Sequence, residues 1–129
     1  MDVNLTKGYW VEEAQEALAV ADHLYEKGDY SYTLFFGHLA VEKMLKALYV
    51  IKIGEQPPYI HNLLRLAEKV EIPVTDVRKD QLIRITAYNL ESRYPDDKRS
   101  FRRKCNQEFT QKELAEIKEV FEWLRSMLP

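Results

Sequence analysis

The chain has 129 residues, 46% of them hydrophobic and 31% charged, and a formal net charge of −2. That length fits one domain, residues 1–129, whose core can close without disulfides or metal. The charge excludes a general nucleic-acid coat, and the single cysteine, Cys105, excludes an internal disulfide and leaves a zinc site without thiolate partners.

At about 100° per residue, the helical period, Trp10, Val11, Ala14, Ala17, Leu18, Ala21, Leu24 and Tyr25 fall within one broad stripe, with Glu12, Glu16, Asp22 and His23 off it. This predicts an amphipathic first helix over Thr6–Lys27, with His23 facing solvent. Gly28 supplies a left-handed cap, and Asp29 or Ser31 can cap the next start. So short a link demands an antiparallel helical hairpin.

Leu34–Lys52 is apolar almost all the way round, the pattern of a helix in the middle of its domain. His38 lies on its most buried stripe and reads as a core residue. Glu42 and Lys46 share one face among Phe35, Leu39 and Tyr49. They are either an i,i+4 ion pair, worth about 0.2–0.5 kcal/mol when exposed, or the polar floor of a ligand cleft. Gly54, Pro57 and Pro58 end this helix.

His61–Val70 reads as a short third helix with Leu63, Leu66, Ala67 and Val70 inward. Thr75 or Asp76 caps a fourth, running to about Glu91. Its stripe of Leu82, Thr86, Asn89 and Arg93 begins apolar and turns polar. Arg93–Phe109 is the least regular stretch, with Lys98, Arg99, Arg102, Arg103 and Lys104 set around Phe101. Cationic neighbours favour the thiolate of Cys105, but no sequence partner suggests catalysis there. A capping box, Thr110-Gln-Lys-Glu113, marks the start of the last helix, whose inner stripe is Leu114, Ile117, Phe121, Leu124 and Leu128. Trp10 and Trp123 are core or dimer aromatics. The predicted fold is all-α: an antiparallel, up-and-down bundle of four long helices plus one short helix. Apolar runs fall well short of the roughly 20 residues of a membrane span, and Met1–Tyr9 lacks the basic-then-apolar order of a signal peptide. A cytoplasmic location without membrane contact is expected.

Several segments, in order along the chain, carry a resemblance. They are Ala14 through Tyr30 with its Gly28-Asp29-Tyr30 turn, Ala40-Val41-Glu42-Lys43-Met44-Leu45-Lys46-Ala47-Leu48, His61 followed by Leu63 and Leu64, and Arg93-Tyr94-Pro95-Asp96. The set resembles the HEPN family, small helical domains often found beside minimal nucleotidyltransferases. The resemblance implies an antiparallel bundle, commonly a homodimer, that binds nucleotide or RNA. Some members are metal-independent ribonucleases, and several act as the toxin beside a nucleotidyltransferase antitoxin. The ribonuclease members carry Arg followed, after four to six residues, by His. Arg93 stands where that Arg would be, but the His position is filled by Lys98, Arg99 or Ser100. Histidine exchanges protons near neutral pH unaided, whereas Arg and Lys stabilise charge but are poor bases.

The expected function is therefore a non-catalytic nucleotide- or RNA-binding module, without a cofactor, working with a minimal nucleotidyltransferase in a toxin–antitoxin-type or stress-response pair. Its phosphate contacts are expected from Arg93, Asn89, His61, Lys46 and Glu42, with Lys98, Arg99, Arg102 and Arg103 as a nucleic-acid loop. No residue is assigned a catalytic role. Geometrically, Glu42 or Lys46 should lie within reach of His61, Asn89 or Arg93. The alternatives are a divergent metal-independent ribonuclease, with Arg93 stabilising charge and His61 or a histidine of the second subunit as its acid–base group, and a purely structural interaction bundle.

Overall fold

The computed structural model describes residues 1–96 and 99–129. Six helices follow in order, α1 (Val3–Glu26), α2 (Tyr30–Ile53), α3 (Leu63–Val70), α4 (Asp76–Arg93), α5 (Ser100–Lys104) and α6 (Gln107–Arg125), and no strand occurs among the described residues. The expected four long helices and one short one are all present, with α5 as an addition.

The turn between α1 and α2 is a Schellman arrangement: Asp29 N–H reaches Leu24 C=O at 2.9 Å and Gly28 N–H reaches Tyr25 C=O at 3.1 Å. Gly28 holds φ at 81°, a conformation that costs glycine no Cβ clash. The turn sends α2 back along α1, as the short link demands. More than half of the 24 residues of α2 are buried, on all its sides. It packs against every other helix, so it is the axis of the bundle. Its apolar circumference has its physical reason here: each face meets a different neighbour.

Boundaries shift where a better cap outcompetes the expected one. Asp2 accepts from Leu5 N–H at 3.1 Å and starts α1 three residues before Thr6. Asn62 caps α3 from outside, leaving His61 in the preceding loop. The last helix does not begin at Thr110. Asn106 accepts from Phe109 N–H at 2.8 Å and adds a turn ahead of the capping box. Thr110 is thereby carried into the helix interior, where its hydroxyl is buried without a partner among the described residues, and Glu113 is released for other work.

Arg93–Phe109, expected to be irregular, contains α5. Asp96 accepts from both the Ser100 N–H and the Ser100 hydroxyl at 2.7 Å, which also holds its carboxyl below the usual carboxylate range. Phe101 enters the core and stacks on Tyr88, ring centroids 5.6 Å apart. Lys98 lies outside the described residues.

At Gly37, α2 packs against Ile117 of α6, and an added Cβ would stand 2.6 Å from Ile117 Cδ1. Overpacking costs about 1–3 kcal/mol and outweighs the gain of about 1 kcal/mol in helix propensity. Gly37→Ala is therefore expected to lower the stability read from urea unfolding, and Ile117→Val, which deletes Cδ1, to restore part of it. A Gly37→Ala protein more stable than wild type would show that the contact is slack.

Candidate functional site

Successive turns of α2 carry His38, Glu42 and Lys46 on one face, all of them buried. A buried carboxylate needs several donors to replace its water, and Glu42 has them. Oε2 accepts from Lys46 Nζ at 3.0 Å and Oε1 accepts from His61 Nδ1 at 2.8 Å. The predicted contact between Glu42 and His61 is thus present. Lys46 ends beneath the indole of Trp10, its Nζ 5.5 Å from the ring centroid, and Lys43 shares the same ring at 5.9 Å.

His38 completes the group. Its Nε2 lies 2.9 Å from the main-chain carbonyl of His61. A carbonyl only accepts, so Nε2 carries the proton and Nδ1 is left as a lone pair, buried and without a partner among the described residues. Burial pushes the His38 pKa below its ordinary value, against the opposing pull of the His61 carbonyl and Glu42. By the same logic the His61 ring donates Nδ1–H to the Glu42 carboxylate, so in the neutral ring Nε2 is the free lone pair. The His61 side chain is half exposed, unlike its three partners.

Arg93 stands elsewhere. Ser92 Oγ donates to Ser31 C=O at 3.3 Å, placing the end of α4 beside the start of α2. Ser31 and Glu42 are eleven residues apart on α2, or about 16 Å at 1.5 Å per residue. Arg93 and His61 therefore occupy different levels of the bundle. The polar stripe of α4 is used between them. Thr86 accepts from Leu63 N–H at 3.1 Å and donates to Leu82 C=O at 2.7 Å, seating the start of α3. Asn89 is buried. Arg93 is exposed, with no carboxylate within 4 Å among the described residues.

At that end a cleft of about 170 Å³ opens between the start of α2 and α5. Ser31, Tyr32, Glu91, Ser92, Pro95, Arg99, Phe101 and Arg102 line it. The Arg102 guanidinium stands 5.8 Å from the Tyr32 ring centroid, and Arg103 and Lys104 are exposed on the same short helix. Two cations, two serine hydroxyls and the Tyr32 ring, with one carboxylate, make a surface suited to a phosphate and a stacked base. Cys105 is buried behind it. Burial first, then Glu91, pushes its thiol up to about 12, so the thiolate expected from its basic neighbours does not form.

A third polar group escaped the sequence. Glu113 accepts from Arg84 Nε at 3.0 Å and from the Tyr88 hydroxyl, and Arg84 also reaches Glu116 at 2.8 Å and Asp80. Burial, then Glu113, raises the Tyr88 pKa. Burial works against the Glu113 carboxylate, but the Tyr88 and Arg84 hydrogen bonds outweigh it and hold its pKa low. The available signal was the charge pattern of α4 and α6, but the capping box offers Glu113 a competing local role. Among the described residues no group of three or more His, Cys, Asp and Glu could hold a metal ion, and no helix is long and apolar enough to cross a membrane.

The orphaned His38 gives a pH dependence. Below the ordinary value of 6.5 the unfolded chain binds a proton that the folded one refuses. Stability is therefore full above that pH and falls as the pH drops towards the folded value. Thermal melts between pH 7.5 and 5.5 should show this fall (about two pH units around the His midpoint), and His38→Gln should flatten it. An equal slope in that variant would assign the dependence to another group.

In fold, the chain is similar to the protein TT1696 from Thermus thermophilus, known from its crystal structure, with a TM-score of 0.80 over 95% of this chain and 98% of that one, at 19% sequence identity. A comparison with curated protein sequences finds no match. The HEPN domain family matches residues 8–127, nearly the whole chain and all six helices except the first turns of α1. The chain belongs to the HEPN family.

Proposed function

We propose that this HEPN domain is a non-catalytic module that binds RNA or a nucleotide by its phosphate at the Arg93–α5 end of the bundle. It works as a homodimer beside a minimal nucleotidyltransferase in a toxin–antitoxin-type or stress-response pair. The observation that carries the binding reading is the cleft between α2 and α5, where Arg99 and Arg102 stand with Tyr32 and the Ser31 and Ser92 hydroxyls. Arg93 lies between two of its lining residues, and Arg103 extends the cationic surface. With a net charge of −2, attraction for phosphate depends on this local concentration of arginines.

The absence of catalysis rests on proton chemistry. Of the positions where a ribonuclease of this family has its histidine, Arg99 lines the cleft and Ser100 is tied to Asp96. Neither takes and returns a proton near neutral pH. His61 is the remaining half-exposed imidazole with an orienting carboxylate, and its partner Glu42 lies about 16 Å along α2 from Ser31, where α4 ends, which sets it apart from the cleft.

Replacing Arg102 and Arg103 together by Gln should weaken binding of a short single-stranded RNA. It should also flatten the slope of log K against log salt by about 1.4, at roughly 0.7 for each phosphate that is no longer neutralised. A slope that does not move would take α5 out of the interface. In EDTA, wild type and Arg93→Ala should leave a labelled RNA equally intact. Cleavage by wild type that Arg93→Ala loses would establish a ribonuclease instead.

A further inference from the structure

The His61 group lies at a level of the bundle separate from the arginine cleft. We propose that His61 is a phosphoryl-acceptor site, with Nε2 as the nucleophile and Glu42 as the residue that positions it. The inference is independent of the RNA-binding reading.

Four features support it. First, Nδ1–H is committed to Glu42 Oε1 at 2.8 Å, which leaves the Nε2 lone pair on the half-exposed side of the ring. Second, the carboxylate cannot swing away: it is 4% exposed and its other oxygen accepts from Lys46 at 3.0 Å. Third, the main chain of His61 is pinned by the His38 Nε2–H at 2.9 Å. Ring and backbone are both fixed before any substrate arrives, the preorganisation that nucleophilic histidine chemistry needs. Fourth, His61 immediately precedes Asn62, the N-cap of α3. Exposed Arg65, in the first turn of that helix, is a cation four residues from His61.

The donor class is a phosphoramidate, a phosphoryl group carried on nitrogen. Transfer to Nε2 exchanges one P–N bond for another and needs no further driving force. Nε2 contributes its lone pair to phosphorus as the donor P–N bond breaks. The leaving amine departs with that bond's electron pair and the protons already on it. The Nδ1 proton stays in place, and the positive charge that develops on the ring is met by the Glu42 carboxylate. A purely structural clamp of the Tyr59–His61 loop would use the same hydrogen bonds but would give His61 no preference over another exposed imidazole.

His23 is that imidazole. It is exposed on the last turn of α1, with no carboxylate within 4 Å among the described residues. The full chain is incubated with potassium phosphoramidate and followed by intact mass, peptide mapping and ³¹P NMR with ¹⁵N-labelled histidine. The expected result is one acid-labile phosphoryl group, on His61 and at Nε2, appearing about tenfold or more faster than any on His23. His61→Gln should abolish it. Glu42→Gln, shown by circular dichroism to be folded, should slow it by a similar factor and admit attachment at Nδ1. Labelling of His23 as fast as His61, attachment of the wild-type label at Nδ1, or undiminished labelling of folded Glu42→Gln would each overturn the proposal. The first two need no variant at all.

Discussion

The carboxylate of Glu42 lies inside the most buried helix of the molecule, and much of the arrangement around it answers that one charge. Stripping a carboxylate of water costs several kcal/mol, roughly, unless hydrogen bonds and an opposite charge replace the lost hydration. Lys46 supplies the charge from the next turn of α2, and His61 supplies a donor from another segment. Because His61 comes from the loop after Pro57 and Pro58, its bond to Glu42 sets where that loop crosses α2. The His38 bond to the same residue's carbonyl fixes the crossing a second time. Only then is the start of α3 held where Thr86 of α4 can receive its first amide. A polar contact in the axis of the bundle thus specifies the position of two further helices.

The same solution recurs between α4 and α6. Glu113 is shared by Arg84 and Tyr88, and Glu116 and Asp80 complete the guanidinium's partners. Arg84 is held charged, its pKa raised by Glu113 and Glu116 despite the cost of burial. The two polar junctions divide the labour. One fixes α2 to the loop before α3, and the other fixes α4 and α6 to each other. Between them the apolar side chains of α2 fill the interior without having to specify register alone.

Much of this architecture could be read from the sequence because helix periodicity is a local property. The stripe of the first helix, the apolar circumference of Leu34–Lys52 and the Gly28 turn each carry their own physical signal. Glu42 and Lys46 were recognisable as a pair by their spacing, and as an exceptional one by their apolar neighbours. What was not legible depended on competition or on long-range geometry. Both Asn106 and Thr110 are good caps, and nothing local says that the earlier one wins. Five residues around Phe101 carry no measurable period, so α5 emerges only when Phe101 meets Tyr88. Cys105 has cationic neighbours in sequence, but its environment is set by the core behind it. The polar end of α4 was expected within reach of Glu42 and Lys46. Its spacing could not say that Arg93 arrives near Ser31 while the Glu42 group lies three turns further along.

The stack of Phe101 on Tyr88 has a mechanical consequence. A five-residue helix is far below the roughly 12–15 residues at which an isolated helix becomes even marginal in water. The geometry of α5 is therefore borrowed from the core. Two attachments carry it: the Asp96–Ser100 staple at its start and the Phe101 ring against Tyr88. Tyr88 in turn is oriented by its hydroxyl's bond to Glu113. Arg99, Arg102 and Arg103 thus ride on a lever whose pivot is a buried tyrosine. The placement of the surface cations is set in part by the buried Tyr88–Glu113 contact between α4 and α6, so sequence drift in that contact would retune the cationic surface without altering one exposed residue.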